Sequence, residues 1–370
     1  MKLQIDREKL LKILGKVQGI ADRKSSMAIL STVLFEAKEN LVEISATDLE
    51  IGFRSTLEAE VENPGALAVP ARKFYEIIKD FPEDLIFLKE EDMWLHIFGN
   101  TQEVYFRLAC LPAEDFPALP DIEDSTLVDL PGGDLAEMIS KTIFCVATEE
   151  NRFILAGIFV EQLEEENILR FVATDGHRLA LIDKELENIG PLGLSPGVIV
   201  PRKACHEIRK IAQEQVLVQF GIKENHVILG APNMVLTARL IDGQYPDYKA
   251  VIPKEKDKIV TVPRRRFMEA LKRISIISLD KFRPVTLEIS SSGINILSQH
   301  PDLGEGRELI SASYEGEEFS LNFNAKYLID ILDVMTSEEV ELCMKDENTP
   351  CIITGQDDKG FLGLVMPMSA

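Results

Sequence analysis

Phe171-Val172-Ala173-Thr174-Asp175-Gly176-His177-Arg178-Leu179-Ala180-Leu181 is the stretch over which the chain can be laid on itself. Alternating apolar residues run into Thr174-Asp175-Gly176 and resume after His177-Arg178, the pattern of strand, tight turn, strand. Asp-Gly supplies the positive φ that a short hairpin turn needs. Ile44-Ser45-Ala46-Thr47-Asp48-Leu49-Glu50-Ile51 has the same Ala-Thr-Asp entry, with its aspartate 127 positions earlier.

Similar intervals recur along the chain. Val69-Pro70-Ala71-Arg72-Lys73 opens a helix that runs on through Glu76-Ile77-Ile78. Val200-Pro201-Arg202-Lys203 opens another through Glu207-Ile208, offset by 131, and Phe323-Asn324-Ala325-Lys326 a third through Asp330-Ile331-Leu332, a further 123 on. The ends match too: Asp115-Phe116-Pro117, Gln244-Tyr245-Pro246 and Val365-Met366-Pro367-Met368. Three copies of a unit of about 120 to 130 residues therefore fill the chain. We place them at 1–124, 125–250 and 251–370. The breaks fall at the acidic linker Leu119-Pro120-Asp121-Ile122-Glu123-Asp124 and near the charged run Lys254-Glu255-Lys256-Asp257-Lys258.

Within each unit, two amphipathic helices and about eight short strands predict an α+β fold, with helices packed on antiparallel sheet. The first helix runs to about Ala21, with Leu10, Ile13, Leu14, Val17 and Ile20 as its buried stripe and Lys9, Lys12 and Lys16 on another face. The second spans about 71–81, with Phe74, Ile77 and Ile78 inward. The second unit has helices over about 133–147, carrying Lys141, and 202–213, with Ala204, Ile208 and Ile211 inward. The third opens with Arg264-Arg265-Arg266. A helix N-terminus disfavours cations, so three arginines there point to a task beyond helix stability, with a phosphate-facing role weighed evenly against none.

The chain has 62 acidic against 40 basic residues, a net charge of −22. That total argues against nucleic acid, but its distribution does not. Acids cluster in loops and hairpin tips such as Asp183 to Glu187, while the helices are locally basic. Five scattered cysteines with no C-x-x-C predict buried free thiols in a reducing cytosol, and neither a metal nor a cofactor. No apolar run approaches the roughly 18 residues of a membrane span. Met1 to Ile13 is too charged for a signal peptide, so a soluble cytoplasmic protein without membrane contact is expected.

Phosphate-binding glycine loops, H-E-x-x-H and G-x-S-x-G are all absent. Asp175, His177 and Arg178 form the one acid–base cluster that a small-molecule enzyme could use. No nucleophile accompanies them, and the first repeat has Asp48, Glu50 and Ile51 there, so recognition or structure is the better reading. No catalytic residue is assigned.

Val172 to Ala180, Val69 to Phe74, Val198 to Lys203, Gly243 to Tyr248 and Val365 to Met368 together resemble the bacterial DNA polymerase III beta subunit family, the sliding clamps. The likeness runs the whole length in order. It implies three like-folded clamp domains making half of a closed ring. It further implies a homodimer encircling duplex DNA, and processive replication without intrinsic catalysis. The implied partners are the clamp loader, the replicative polymerase alpha subunit and other proteins bearing a clamp-binding motif.

The resemblance also implies sites. A partner-peptide pocket would be walled by Leu155, Thr174, Gly176, His177, Arg178, Leu179, Pro246, Val251, Phe282, Asn324, Tyr327, Val365, Met366, Pro367 and Met368. Ala250 and the terminal Ser369-Ala370 depart from the family pattern at its rim. Lys24, Arg72, Lys73, Arg152, Phe153, Arg202 and Lys203 would face DNA. Phe106 and Leu108 would meet Ile276 and Ile277 across the dimer seam.

Overall fold

The computed structural model describes residues 1–21, 26–101, 103–163, 167–254, 257–278 and 283–368. Lys24 and Phe282 lie outside them. Six α-helices are described: α1 (Arg7–Val17), α2 (Ala71–Asp80), α3 (Gly132–Ser140), α4 (Arg202–Gln213), α5 (Arg264–Ile274) and α6 (Ala325–Val334). Each repeat has two, as its sequence predicts.

Local chemistry sets the helix ends. Asp6 caps α1 by accepting from the Lys9 N–H at 2.8 Å, and Leu10, Ile13, Leu14 and Val17 form its buried face. The helix stops at Val17, short of the expected Ala21. Gly19 follows, where an added Cβ would lie 2.3 Å from a Glu207 carboxylate oxygen. In α2, Phe74 and Ile78 are buried, whereas Ile77 is only half-buried. α3 ends at Ser140 instead of running on to 147. Thr142 Oγ1 bonds back to the Met138 carbonyl, and a separate 3-10 turn takes Ile143–Cys145. Ala204, Ile208 and Ile211 of α4 are buried as expected, and so are all five cysteines, as free thiols.

The strands depart from a simple reading of one self-contained sheet per repeat. In the first compact unit, Met1–Gly133 with His206–Leu240, an eight-stranded antiparallel sheet combines two repeats. The first repeat gives Gly65–Pro70, Thr32–Lys38, Leu41–Thr47 and Ile51–Glu58, and the second gives Met234–Arg239, His226–Ala231, Leu217–Lys223 and Leu127–Pro131. Ile51–Glu58 pairs with Met234–Arg239 at the junction. A five-stranded sheet completes the unit, in the order Glu60–Asn63, Lys2–Asp6, Leu85–Glu91, Trp94–Phe98, Tyr105–Ala109. Phe35 and Phe74 meet edge-on in its core at 5.8 Å.

The second compact unit, Asp134–Cys205 with Ile241–Ala370, repeats the plan. Its eight-stranded sheet runs Val198–Pro201, Gly157–Leu163, Ile168–Thr174, Arg178–Glu185, Phe361–Val365, Cys351–Gly355, Glu339–Met344, Lys258–Pro263. Arg178–Glu185 against Phe361–Val365 joins the second repeat to the third. A four-stranded sheet follows in the order Gly304–Ile310, Gly293–His300, Pro284–Ser290, Phe319–Asn324. No helix among the described residues is long and apolar enough to cross a membrane.

Candidate functional site

The turn 174–178 sits at the end of the strand that makes that junction. Thr174 Oγ1 donates to the Arg178 carbonyl at 2.7 Å and accepts from the Gly176 N–H at 3.1 Å. Asp175 Oδ1 accepts from the backbone N–H groups of His177 and Arg178. Gly176 has φ +88°, a conformation that glycine adopts without strain, and an added Cβ would lie 2.7 Å from Arg152 Nη1, which would have to shift.

Arg178 is only 8% exposed. Its Nε donates to Asp175 Oδ2 at 3.0 Å, Nη1 to Asp330 Oδ2 at 2.6 Å and Nη2 to the Phe144 carbonyl at 2.7 Å. Its plane lies 4.5 Å from the Tyr327 ring centre. The guanidinium is therefore spent internally, tying the second-repeat hairpin to α6. His177 is exposed and stacks on the other partner of that contact, Tyr327, with ring centres 6.3 Å apart.

Several of the other expected wall residues touch this turn or lie beside its partners in the chain. Val365 pairs with Arg178, the Met366 N–H donates to the His177 carbonyl at 2.9 Å, and the Met368 N–H to the Asn322 carbonyl at 2.8 Å. Leu155 and Leu179 belong to one apolar cluster with Tyr245, Tyr248 and Leu364. Pro246 and Val251 are exposed beside those tyrosines in the chain. Asn324 is buried, and its Oδ1 accepts from the Lys326 N–H at 3.0 Å as the N-cap of α6.

Three contributors were missed from sequence. Tyr245, quoted only as a repeat end, takes the Thr174 N–H on its hydroxyl at 3.1 Å, and burial pushes that phenol well above its usual range. Asp330, quoted only as a helix residue, holds Arg178. Lys141, read as part of a helix, is buried and paired with the fully buried Asp358 at 2.9 Å. Asp358 also accepts from the backbone N–H groups of Thr336 and Ser337. Burial opposes its ionisation, but hydrogen bonds from Ser337 and Lys141 prevail and hold its pKa below the ordinary value.

The cations expected to face DNA are not bare. Arg72 Nε and Lys73 Nζ each reach a different oxygen of Glu76 at 2.7 Å. Arg152 is tied to the Asp175 carbonyl and lies 3.4 Å from Glu149, while Phe153 is 58% exposed. Arg202 is half-buried and its backbone N–H bonds the Ala156 carbonyl, while Lys203 is exposed. Of the three arginines opening α5, Arg264 caps the end of α6 through the Leu332 and Ser337 carbonyls, at 2.8 and 2.7 Å. Arg266 instead joins Arg273 on Glu308, and Arg265 is exposed. Two of the three Arg264 guanidinium nitrogens are thus spent inside the fold.

Three family models of the DNA polymerase III beta subunit match in succession. The N-terminal domain matches 1–120, the central domain 129–247 and the C-terminal domain 249–369. The chain belongs to the DNA polymerase III beta subunit family. It is 35% identical over 377 residues to the beta sliding clamp of Caulobacter vibrioides, and 35% identical over 376 to that of Pseudomonas putida, covering all of each chain. Among solved structures, the C. crescentus beta sliding clamp superposes with a TM-score of 0.94 at 34% identity. The Bartonella birtlesii clamp bound to griselimycin does so at 0.94 and 33%, and both are covered completely. Three clamp domains, each with helices on antiparallel sheet, is thus the fold. A processivity clamp of the polymerase III system, rather than a catalytic subunit, is the role. Such a subunit works with DNA and with its polymerase. Asp175, His177 and Arg178 form a clamp hairpin, not an acid–base centre.

Proposed function

We propose that two copies of this clamp close head to tail into a cytoplasmic ring that threads duplex DNA. A loader places the ring, and short apolar segments of the polymerase alpha subunit and other partners bind beside the 174–178 turn. Domain limits at 1–124, 125–250 and 251–370 belong to the same reading, supported by the three family matches.

One observation carries the ring: among the described residues, two sheet edges have no bridge across them and carry exposed apolar side chains on or beside them, Leu309 at 58% among these. Among the described residues, four edges are closed by single bridges, Ala68 to Leu111, Ile199 to Ile241, Thr261 to Ser313 and Asn322 to Met368. Glu60–Asn63 is short and acidic, and Leu127–Pro131 contains Asp129 and ends in proline, both poor templates for further pairing. That leaves Tyr105–Ala109 and Gly304–Ile310. Phe106 is 40% exposed on the first. Beside the second, Ile277 packs at Gly306 and Ile276 is 76% exposed. Two unlike edges on one chain pair head to tail, and two copies make two such seams.

Retention on DNA is then topological, because a net charge of −22 repels a polyanion at long range. The test is loader-assisted assembly on nicked circular plasmid, then gel filtration at moderate salt before and after linearisation. The ring stays on the circle and runs off the linear form. Equal retention on both forms overturns the mechanism.

A further inference from the structure

The second helix of every repeat carries an acid at one equivalent position: Glu76, Glu207 and Asp330, separated by the same 131 and 123 residues as the helix starts. Four residues before each stands a cation, Arg72, Lys203 or Lys326. Asp330 takes Lys326 at 2.9 Å but is shared with the buried Arg178, and Glu207 is itself buried and takes Lys210 at 2.8 Å. Only Glu76 combines a partly exposed carboxylate with two exposed cations, one on each oxygen at 2.7 Å.

Helix stability does not account for the arrangement. Arg72 and Lys73 lie in the first turn of α2, where the macrodipole opposes them. A cation four residues before an acid is also the weaker orientation of such a pair, and water screens an exposed pair further. What Glu76 does offer is two charge-assisted acceptors in the form that a backbone phosphate would present. Hydrogen bonds from Lys73 and then Arg72 lower its pKa to about 2, so the competitor stays charged at neutral pH.

We propose that Glu76 is an intramolecular competitor for the DNA backbone. It occupies Arg72 and Lys73, so that each phosphate contact they make replaces a carboxylate contact, and the hold on duplex stays weak enough for sliding. This rests on the reading that α2 faces DNA.

The full-length protein titrated with a fluorescein-labelled linear duplex, followed by anisotropy over a range of salt, tests both levels. Glu76→Gln keeps the shape and an acceptor oxygen but removes the charge. Affinity rises about threefold to tenfold, and the slope of log K against log salt steepens by up to about 1.8, the value for two further phosphates neutralised. The gain vanishes when Arg72→Gln and Lys73→Gln are also present. A gain of equal size in that background overturns the competitor, because it reflects only a lost charge. No gain from Glu76→Gln, with weaker binding by the double cation variant, overturns the competitor and leaves α2 facing DNA. No change in either variant removes α2 from the DNA-facing surface altogether.

Discussion

The turns 47–51 and 174–178 have the same skeleton. Thr47 Oγ1 donates to the Ile51 carbonyl at 2.8 Å as Thr174 Oγ1 does to Arg178 at 2.7 Å. The Leu49 and Gly176 N–H groups return to those hydroxyls at 3.0 and 3.1 Å. Asp48 accepts from Glu50 and Ile51, and Asp175 from His177 and Arg178. Leu49 and Gly176 share the left-handed region, with φ of 77° and 88°. The difference lies in the fifth residue. Ile51 is a core side chain, whereas Arg178 runs inward to Asp330, Phe144 and Tyr327. Thr-Asp sets the turn in both; the side chain that follows, and what lies against it, leaves one closed on its own core and ties the other to α6.

The largest test of that contrast is Arg178→Met beside Ile51→Met. Losing the arginine leaves the Phe144 carbonyl without that donor and takes one partner each from Asp175, which keeps its backbone N–H donors, and Asp330, which keeps Lys326. We expect a cost of about 2–3 kcal/mol in urea unfolding together with lost partner-peptide binding. Ile51→Met, a near volume-conserving swap, costs less than about 1.5 kcal/mol. Equal costs would break the comparison.

A second test uses acid. Lys141, paired with Asp358, lies three residues from the Phe144 carbonyl that Arg178 grips. Because the folded state depresses the Asp358 pKa, its contribution is complete above the ordinary carboxylate value of about 4 and is lost as pH falls below it. Asp358→Asn costs about 1–3 kcal/mol at neutral pH, because the buried Lys141 then keeps only the partly exposed Glu137, at 2.9 Å, as its charged partner. It also makes the remaining stability less dependent on pH between about 5 and 2. Parallel pH curves for variant and parent would remove this support from the site.

The smallest effects belong to the third residue of each turn. Gly176→Ala meets Arg152 as well as the φ penalty and costs about 1–2 kcal/mol. Leu49, 58% exposed, has little packing to lose, so Leu49→Gly relieves backbone strain and gains up to about 1 kcal/mol. Thermal unfolding of the two variants should therefore shift in opposite directions.

Much of the plan was legible because it is local. Helical spacing places Leu10, Ile13, Leu14 and Val17 on one buried face, and they are buried. The Thr-Asp-Gly turn closes on itself with its own side chains, so its geometry needs no distant partner. The full-length likeness singled out Val365, Met366, His177, Arg178 and Tyr327, and these residues contact one another in pairs: Val365 with Arg178, Met366 with His177, and Tyr327 with both His177 and Arg178. The end of α3 was misread, since Ser140-Lys141-Thr142 still looks helical by pattern. Side-chain bonds back to the preceding turn, and the pull of Asp358, end it instead.

The threefold repeat, the helix faces, the turn chemistry and the family could all be read along the chain, because each resides in spacing or in motif. Which strands share a sheet became visible only in the folded chain. Ile51–Glu58 seeks Met234–Arg239, and Arg178–Glu185 seeks Phe361–Val365, across some 180 residues of chain. An alternating pattern fixes which face of a strand is buried but is silent about its neighbour. Charge was undecided in the same way. Arg72, Lys73, Arg264 and Arg266 read alike as basic helix starts, yet two meet Glu76, one caps α6 and one meets Glu308. A cation's sign is written in its residue type, but its availability depends on which acceptor the fold brings within about 3 Å.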